Sequence, residues 1–357
     1  MLKLRRGVVV ETDPLTVEVE GERRRAWADE ALVGTVVSGD EVIVNTEALD
    51  LGLGSGGFDL VHANLTRGLT GAGSEGAHVM KLNYTSLQHP VDPVEVTERA
   101  PEPPPLPVLV ISLHGHLAPA AWAAAQFAPG LRVGFVQGPG AALPGGLSRD
   151  LGELRERGLI CGHVTAGPAY GGEHEAITVA GALDAGARSL GWDAAIIGPG
   201  PGILGSATWL GHGAMAALDA AHAALALGLP TLVCPRLSSS DERDRHRGLS
   251  HHAAIVLDLL LGAVRVPVPE AELEGWPLLD VAAPEGGSAQ AALDDLIEAC
   301  RGRHDIAVQR IDLDGYARSG LSAKTMGRGI EADPLFFAAA LAAGRALAAT
   351  VSDGDAA

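Results

Sequence analysis

Residues 107–114 read "PVLVISLH". Apolar side chains follow one another here without the in–out alternation of a half-buried strand, so both faces of this strand must be covered. Similar runs return at 131–137 ("LRVGFVQ"), 160–166 ("ICGHVTA"), 193–198 ("DAAIIG"), 230–235 ("PTLVCP") and 263–269 ("AVRVPVP"). Between them lie alanine- and leucine-rich stretches with helical spacing, at 118–128, near 147–157, 173–190, 213–227 and 251–261. Buried strands alternating with amphipathic helices predict an α/β fold: a doubly wound, mostly parallel, Rossmann-like sheet with helices on both faces. A tail adds a helix at 289–301, a strand in "DIAVQRIDL" (305–313) and a last helix opened by Asp333-Pro334, proline being suited to a first helical position. The α/β domain with this C-terminal extension is assigned to 108–357.

Upstream the rhythm is different. Residues 1–88 hold short valine-rich runs around Asp13-Pro14 and around Ser38-Gly39-Asp40, which predicts a small β-barrel or sandwich. The stretch 89–107, "HPVDPVEVTERAPEPPPLP", is rich in proline and acids and reads as a semi-rigid linker between the two domains. No internal repeat is detectable.

The unusual residues fall at one end of the strands. After the first apolar run comes "HGH" (114–116), after the second "GPGAALPGG" (138–146), and after the third "GPAYGGEHE" (167–175). The fourth is followed by "GPGPGILGSATWLGHG" (198–213) and the fifth by "RLSSSDERDRHRGLSHH" (236–252). The opposite connections, such as "LGLP" and "LGW", are short and plain. Carboxyl ends of parallel strands share one edge, and open α/β sheets bind ligands there.

Within those loops each group has a chemical reading. Gly200, Gly202 and Gly205 match GxGxxG after a strand, a pattern that lets backbone N–H groups approach phosphate. No acidic residue ends the next strand; Arg236 does, which suits a 2′-phosphate and keeps an NADP-dependent enzyme among the alternatives. Arg236 and Arg245 have the fork geometry for phosphate or carboxylate, with His246 and Glu173 at the same edge. Ser250 is a good N-cap, which places His251 and His252 in a helix's first turn, where the helix dipole favours neutral imidazole. His114, His251 and His252 are the acid–base candidates. No resident transition metal is expected. A metal-dependent enzyme, as an alternative, would draw its ligands from His114, Asp241, His246 and His251.

Composition narrows the partners. Across 357 residues, 47% are hydrophobic and 20% charged, an ordinary globular balance. A net charge of −18 argues against nucleic acid and against an anionic membrane surface. Residues 194–218 lack Asp, Glu, Lys and Arg but contain six glycines and two prolines, which a spanning helix tolerates badly. Cys161, Cys234 and Cys300 stand far apart with no CxxC, consistent with a reducing, cytoplasmic compartment. Homo-oligomerisation is left open by the sequence.

Several blocks, in this order, resemble a bacterial family catalogued as domain of unknown function 3866: "VNTEALDLGLGSGG", "HVMKLNYTSLQ", "TAGPAYGGEHEAITV", "GPGILGSATWLG", "RLSSSDERDRHRGLSHH" and "TMGRGIEADPLFF". The chain departs from the family pattern at Gly115-His116 and at Gln137-Gly138, which weighs against His116 and the 138–140 loop as catalytic. The resemblance implies no activity. The leading expectation is a protein that binds a small anionic metabolite, phosphorylated or not, at the carboxyl edge of the sheet. The alternative from another class is a non-catalytic ligand-sensing or assembly module. No cofactor is specified by the sequence.

Overall fold

The computed structural model describes residues 1–53, 56–71, 73, 75–95, 103–270 and 289–354. The chain divides into two compact units, Met1–Asp92 and Pro93–Ala357. In the first, β1 (Leu4–Thr12), β2 (Leu15–Val19), β3 (Glu22–Trp27), β4 (Glu41–Asn45) and β5 (Asp59–Asn64) close into a barrel in the order β1-β2-β3-β5-β4, with β4 pairing back onto β1. Short helices α1 (Glu30–Val33) and α2 (Glu47–Asp50) flank β4. Alternation drives the closure: Val42 and Val44 are buried while Glu41, Ile43 and Asn45 are only partly covered. The barrel therefore has its own valine core, from Val9, Val17 and Val19 to Val61. β6 (Val79–Lys81) and β7 (His89–Val91) form a separate antiparallel ribbon. His89–Val91, within the proline-rich stretch, is thus strand, and residues 96–102 of that stretch lie outside the described residues.

The second unit follows the order β8 (Val108–Val110), α3 (Leu117–Phe127), β9 (Val133–Gly138), α4 (Arg149–Glu156), β10 (Gly162–Ala166), β11 (His174–Ala176), α5 (Val179–Arg188), β12 (Ala194–Pro199), α6 (Met215–Ala226), β13 (Thr231–Val233). A small ribbon comes next, β14 (Leu237–Ser238) with β15 (Gly248–Leu249), then α7 (His251–Leu259) and β16 (Arg265–Pro269). The tail holds α8 (Ala289–Cys300), β17 (Asp305–Gln309), α9 (Leu313–Arg318), a ribbon of β18 (Lys324–Thr325) and β19 (Arg328–Gly329), and α10 (Pro334–Gly354). Eight strands make one sheet in the order β11-β10-β9-β12-β8-β13-β16-β17, every pairing parallel. The three residues of β8 at its centre are fully buried, as their unbroken apolar run requires. Helices α3, α4 and α10 pack together, and α5 to α8 pack in a second series, each helix against the next.

One expected helix is shorter than its sequence suggests. Residues 174–176 of the expected helix 173–190 form the edge strand β11 instead, and α5 begins only at Val179. Thr178 is its N-cap, the hydroxyl accepting the Gly181 N–H at 2.9 Å, while the Glu95 carboxylate accepts the N–H groups of Ile177 and Thr178. These bonds satisfy the first donors of α5 and stop it from extending backwards. The tail joins this unit: β17 lengthens the sheet and α10 runs along α3. Among the described residues α10 is the one helix long and apolar enough to cross a membrane, and 72% of that apolar stretch is buried inside the protein, as in a core helix. The three cysteines are unpaired.

The α3–α10 contact depends on a missing side chain. A Cβ on Gly344 would coincide with the Ala120 carbonyl, so the two backbones touch there. Gly344→Ala is expected to destabilise the protein by about 1–3 kcal/mol, because the overpacking outweighs the helix propensity gained. Gly152→Ala in α4, where the added methyl meets open space, is expected to stabilise by about 0.5–1 kcal/mol. Urea unfolding of both variants checks the pair, and equal signs would contradict the packing argument. The barrel core and the sheet core share no residue, so residues 93–357 produced alone should unfold as one cooperative, soluble unit in calorimetry.

Candidate functional site

Two long connections meet beyond the carboxyl ends of β12 and β13. The first, residues 200–214, is folded back by close glycine contacts: a Cβ on Gly140 would strike the Gly213 carbonyl, and one on Gly213 the Gly140 carbonyl. Gly213 donates its N–H to Leu204 at 2.6 Å, and Leu204 donates to Gly140. This arrangement delivers His212, 6% exposed, just before α6. The second connection is pinned by the β14–β15 ribbon and ends at Ser250, whose hydroxyl accepts the His252 N–H at 3.3 Å as the N-cap of α7. His251 and His252 therefore begin α7, as the sequence leads one to expect.

The imidazoles converge. His212 and His252 stack with ring centroids 3.8 Å apart, and His251 lies 4.2 Å from His252. His246 approaches His252 at 4.7 Å and His251 at 5.0 Å. Their hydrogen bonds assign the protons. His212 Nε2 faces the Trp209 carbonyl at 3.0 Å, and His251 Nδ1 faces the Arg245 carbonyl at 3.2 Å. A carbonyl only accepts, so those nitrogens carry the N–H and the opposite ones, His212 Nδ1 and His251 Nε2, are bare lone pairs. Both bare nitrogens are buried, and neither they nor the two ring nitrogens of His252 find a hydrogen-bond partner among the described residues. Burial, then the neighbouring His212, His251 and Arg236, push His252 down to about 3 and hold it neutral. The Ser206 main chain opposes that shift but makes no hydrogen bond of ordinary geometry with the ring. Burial, then Arg236 and Arg243, push His246 down to about 2.

Beside the histidines lies a buried ion network. Asp241 receives Arg236 at 3.1 Å, Arg243 at 2.9 Å and Arg328 at 3.2 Å. Arg328 also reaches Asp333 at 3.1 Å, which accepts from the Ser238 hydroxyl at 2.6 Å and the Ser239 N–H at 2.9 Å. The Arg236 side chain is only 2% exposed, and burial pushes it down to about 10, still cationic at neutral pH. Its Nε and that of Arg245 are buried without a partner among the described residues. Burial, then Arg236, push His116 down to about 3; its ring packs tilted against Phe336 and meets the Cys234 sulfur at 3.6 Å.

The other residues singled out from the sequence stand elsewhere or are already engaged. His114 Nδ1 faces the Pro199 carbonyl at 3.0 Å, which leaves Nε2 to accept the Ser148 hydroxyl at 2.6 Å; both nitrogens are used. Asp241 is saturated by arginines, and His246 Nδ1 is bonded to Ser250 at 2.7 Å. Of the four metal ligands offered by the sequence, His251 is the one in the tight group of three potential ligands, and its companions there are His212 and His252. Glu173 pairs with Arg155 at 2.7 Å. Gly200 is needed for close approach to the Ala142 carbonyl, Gly202 takes a φ of 75°, and Gly205 has open space around it. These glycines do not feed a helix amino end, because α6 starts only at Met215. That removes the main support for a dinucleotide cradle. An apolar crevice of about 80 Å³ opens between the ends of β9 and β12, lined by Gly138, Pro199, Val179 and Ala216. It sits where the connections of neighbouring strands leave in opposite directions, β9 towards β10 and β12 towards β13.

Sequence reasoning missed His212, Arg328 and Asp333 as members of this region. Arg328 and Asp333 both lie in one of the family blocks, and Asp333 also reads as a helix start. His212 carried no signal beyond being a lone histidine in a glycine loop.

Neutral buried rings have a pH signature. His116 takes up a proton near 6.5 when unfolded but only near 3 when folded, so its contribution is complete above about 6.5 and is lost as pH falls. Each pH unit below that is expected to remove up to about 1.4 kcal/mol of stability for each such ring. Urea unfolding at pH 7.5 and 5.5 measures this, and equal stabilities would overturn it.

No curated protein and no solved structure matches the chain significantly. A family profile does match, over residues 25–344, which is most of the chain. By that match the chain belongs to the family described as protein of unknown function (DUF3866).

Proposed function

We propose that the carboxyl edge of the α/β unit binds a small anionic molecule bearing a phosphate or carboxylate group, with Arg236 and Arg245 as its clamp. The observation that carries this reading is the Arg236 guanidinium, buried with an unused Nε. Buried cations persist where they are paired and hydrogen-bonded. The network around it sets Arg236, Arg243 and Arg328 against Asp241 and Asp333, which leaves one positive charge in excess. Arg245 adds a second guanidinium with an unused buried Nε. An oxyanion supplies the acceptors that these donors lack, and bonds of this charge-assisted kind are the strong ones. The loop meeting point beyond β12 and β13 fits the general placement of ligands on parallel sheets.

Isothermal titration with inorganic phosphate, pyrophosphate and a tricarboxylate, on protein treated with chelator, tests this reading. At least one is expected to bind saturably and to raise the melting temperature. Arg245→Ala should weaken that binding about tenfold or more, since a hydrogen bond to a charged group contributes roughly 1.5–3 kcal/mol. Its own melting temperature should stay close to that of the parent, because Arg245 makes no ion pair among the described residues. Binding of none of the three, or binding unaffected by Arg245→Ala, would overturn the proposal.

A further inference from the structure

We propose that His212, His251 and His252 hold a first-row transition-metal dication of the zinc class, bound through His212 Nδ1, His251 Nε2 and one ring nitrogen of His252. Their candidate ligand atoms all lie within 4.8 Å of one another. In a tetrahedral site with 2.0–2.1 Å bonds the nitrogens stand about 3.3 Å apart, so loading the ion needs modest ring rotations. The largest is at His252, which must leave its stack on His212.

Three features select a metal over ordinary packing. The first is the pair of fixed tautomers. Each of His212 and His251 spends its N–H on a backbone carbonyl, the outer-shell arrangement that orients metal-bound imidazole and raises its basicity. The second is the direction of what remains. Two bare lone pairs cannot bond to each other, and leaving a buried acceptor unpaired is costly. The ring beside them, His252, is also without a partner among the described residues and is 1% exposed. The third is the donor type. An all-imidazole set suits zinc, cobalt, nickel or copper, whereas calcium and magnesium demand oxygen. An anion alone would meet lone pairs rather than donors at these nitrogens, so this inference stands apart from the anion-binding reading and goes beyond it. Three protein ligands also leave a coordination position open, as in metal sites that bind a further molecule.

The test uses the full chain, stripped with EDTA and titrated with Zn²⁺ alone in phosphate-free buffer. Calorimetry is expected to show one equivalent bound with a micromolar or tighter Kd, and Co²⁺ to give the visible absorption of a low-coordinate nitrogen site. His212→Gln and His251→Gln should each weaken Zn²⁺ binding at least 100-fold, whereas His62→Gln in the barrel should leave it unchanged. Should a variant fail to fold, X-ray absorption of the zinc-loaded parent decides: three imidazoles in the shell support the site, and a shell of thiolate or carboxylate without them sinks it. Failure to bind one equivalent, or binding that survives both substitutions, overturns the proposal. Metal binding without anion binding would retire only the anion-binding reading, and the converse would retire only this one.

Discussion

Asp241 is the point on which this region turns. Its carboxylate, 1% exposed, takes guanidinium groups from the start of its own loop, from two residues further along, and from the ribbon that precedes α10. Taking charges out of water costs several kcal/mol per ion, and the attraction between them repays this only when the geometry is good. Here it is good on both oxygens: burial pushes the Asp241 carboxyl up, but the arginines together with backbone donation outweigh it and hold Asp241 well below the usual carboxylate range. Asp333 extends the same network to Ser238 and Ser239 immediately before α10. The connection after β13 and the last helix are thus tied by ion pairs as well as by the apolar core. Removing Asp241 alone would leave Arg236 buried without its carboxylate, the kind of change that costs about 3–5 kcal/mol.

The same network sets the electrostatics of the imidazoles. Arg236 opposes protonation of His116, His246 and His252, adding to what burial does already. Four histidines within one region would ordinarily titrate near neutral pH. Here burial and the guanidiniums keep His116, His246 and His252 as neutral donors or acceptors, and burial depresses His212 as well. At His212 and His251 the backbone carbonyls of Trp209 and Arg245 decide which ring nitrogen is left to accept, and in which direction it points.

How much of this the sequence discloses depends on the range of the interactions. The parallel sheet was legible because an unbroken run such as Val108–Val110 has one consistent environment, and each strand announces itself locally. The edge strand at His174–Ala176 was not legible, since it is three residues long, mostly polar, and abuts a helical pattern; Thr178 as an N-cap was the available signal for the true start of α5. The β character of the first ninety residues was plain, but closure of the barrel rests on β4 returning to β1, a pairing between distant runs. In the site, Ser250, His251 and His252 followed from capping chemistry alone. His212 and Arg328 did not, because each meets its partners only after a crossover or a whole tail has folded. Tautomers lie further still from the sequence, for they are decided by carbonyls such as those of Trp209 and Arg245.

Metal and anion, proposed on separate observations, constrain one another. A dication among these histidines would sit close to Arg236 and at the positive end of α7, and both disfavour added positive charge. The excess positive charge of the arginine network also lacks a counter-ion among its ion pairs. An oxyanion accepting from Arg236 or Arg245 would offset both. Each ligand would then bind more tightly in the presence of the other, and linkage requires the two enhancements to be equal. Such reciprocity suits a site assembled from the loops after β12 and β13 together with the tail ribbon, because no one of these segments holds the whole charge balance by itself.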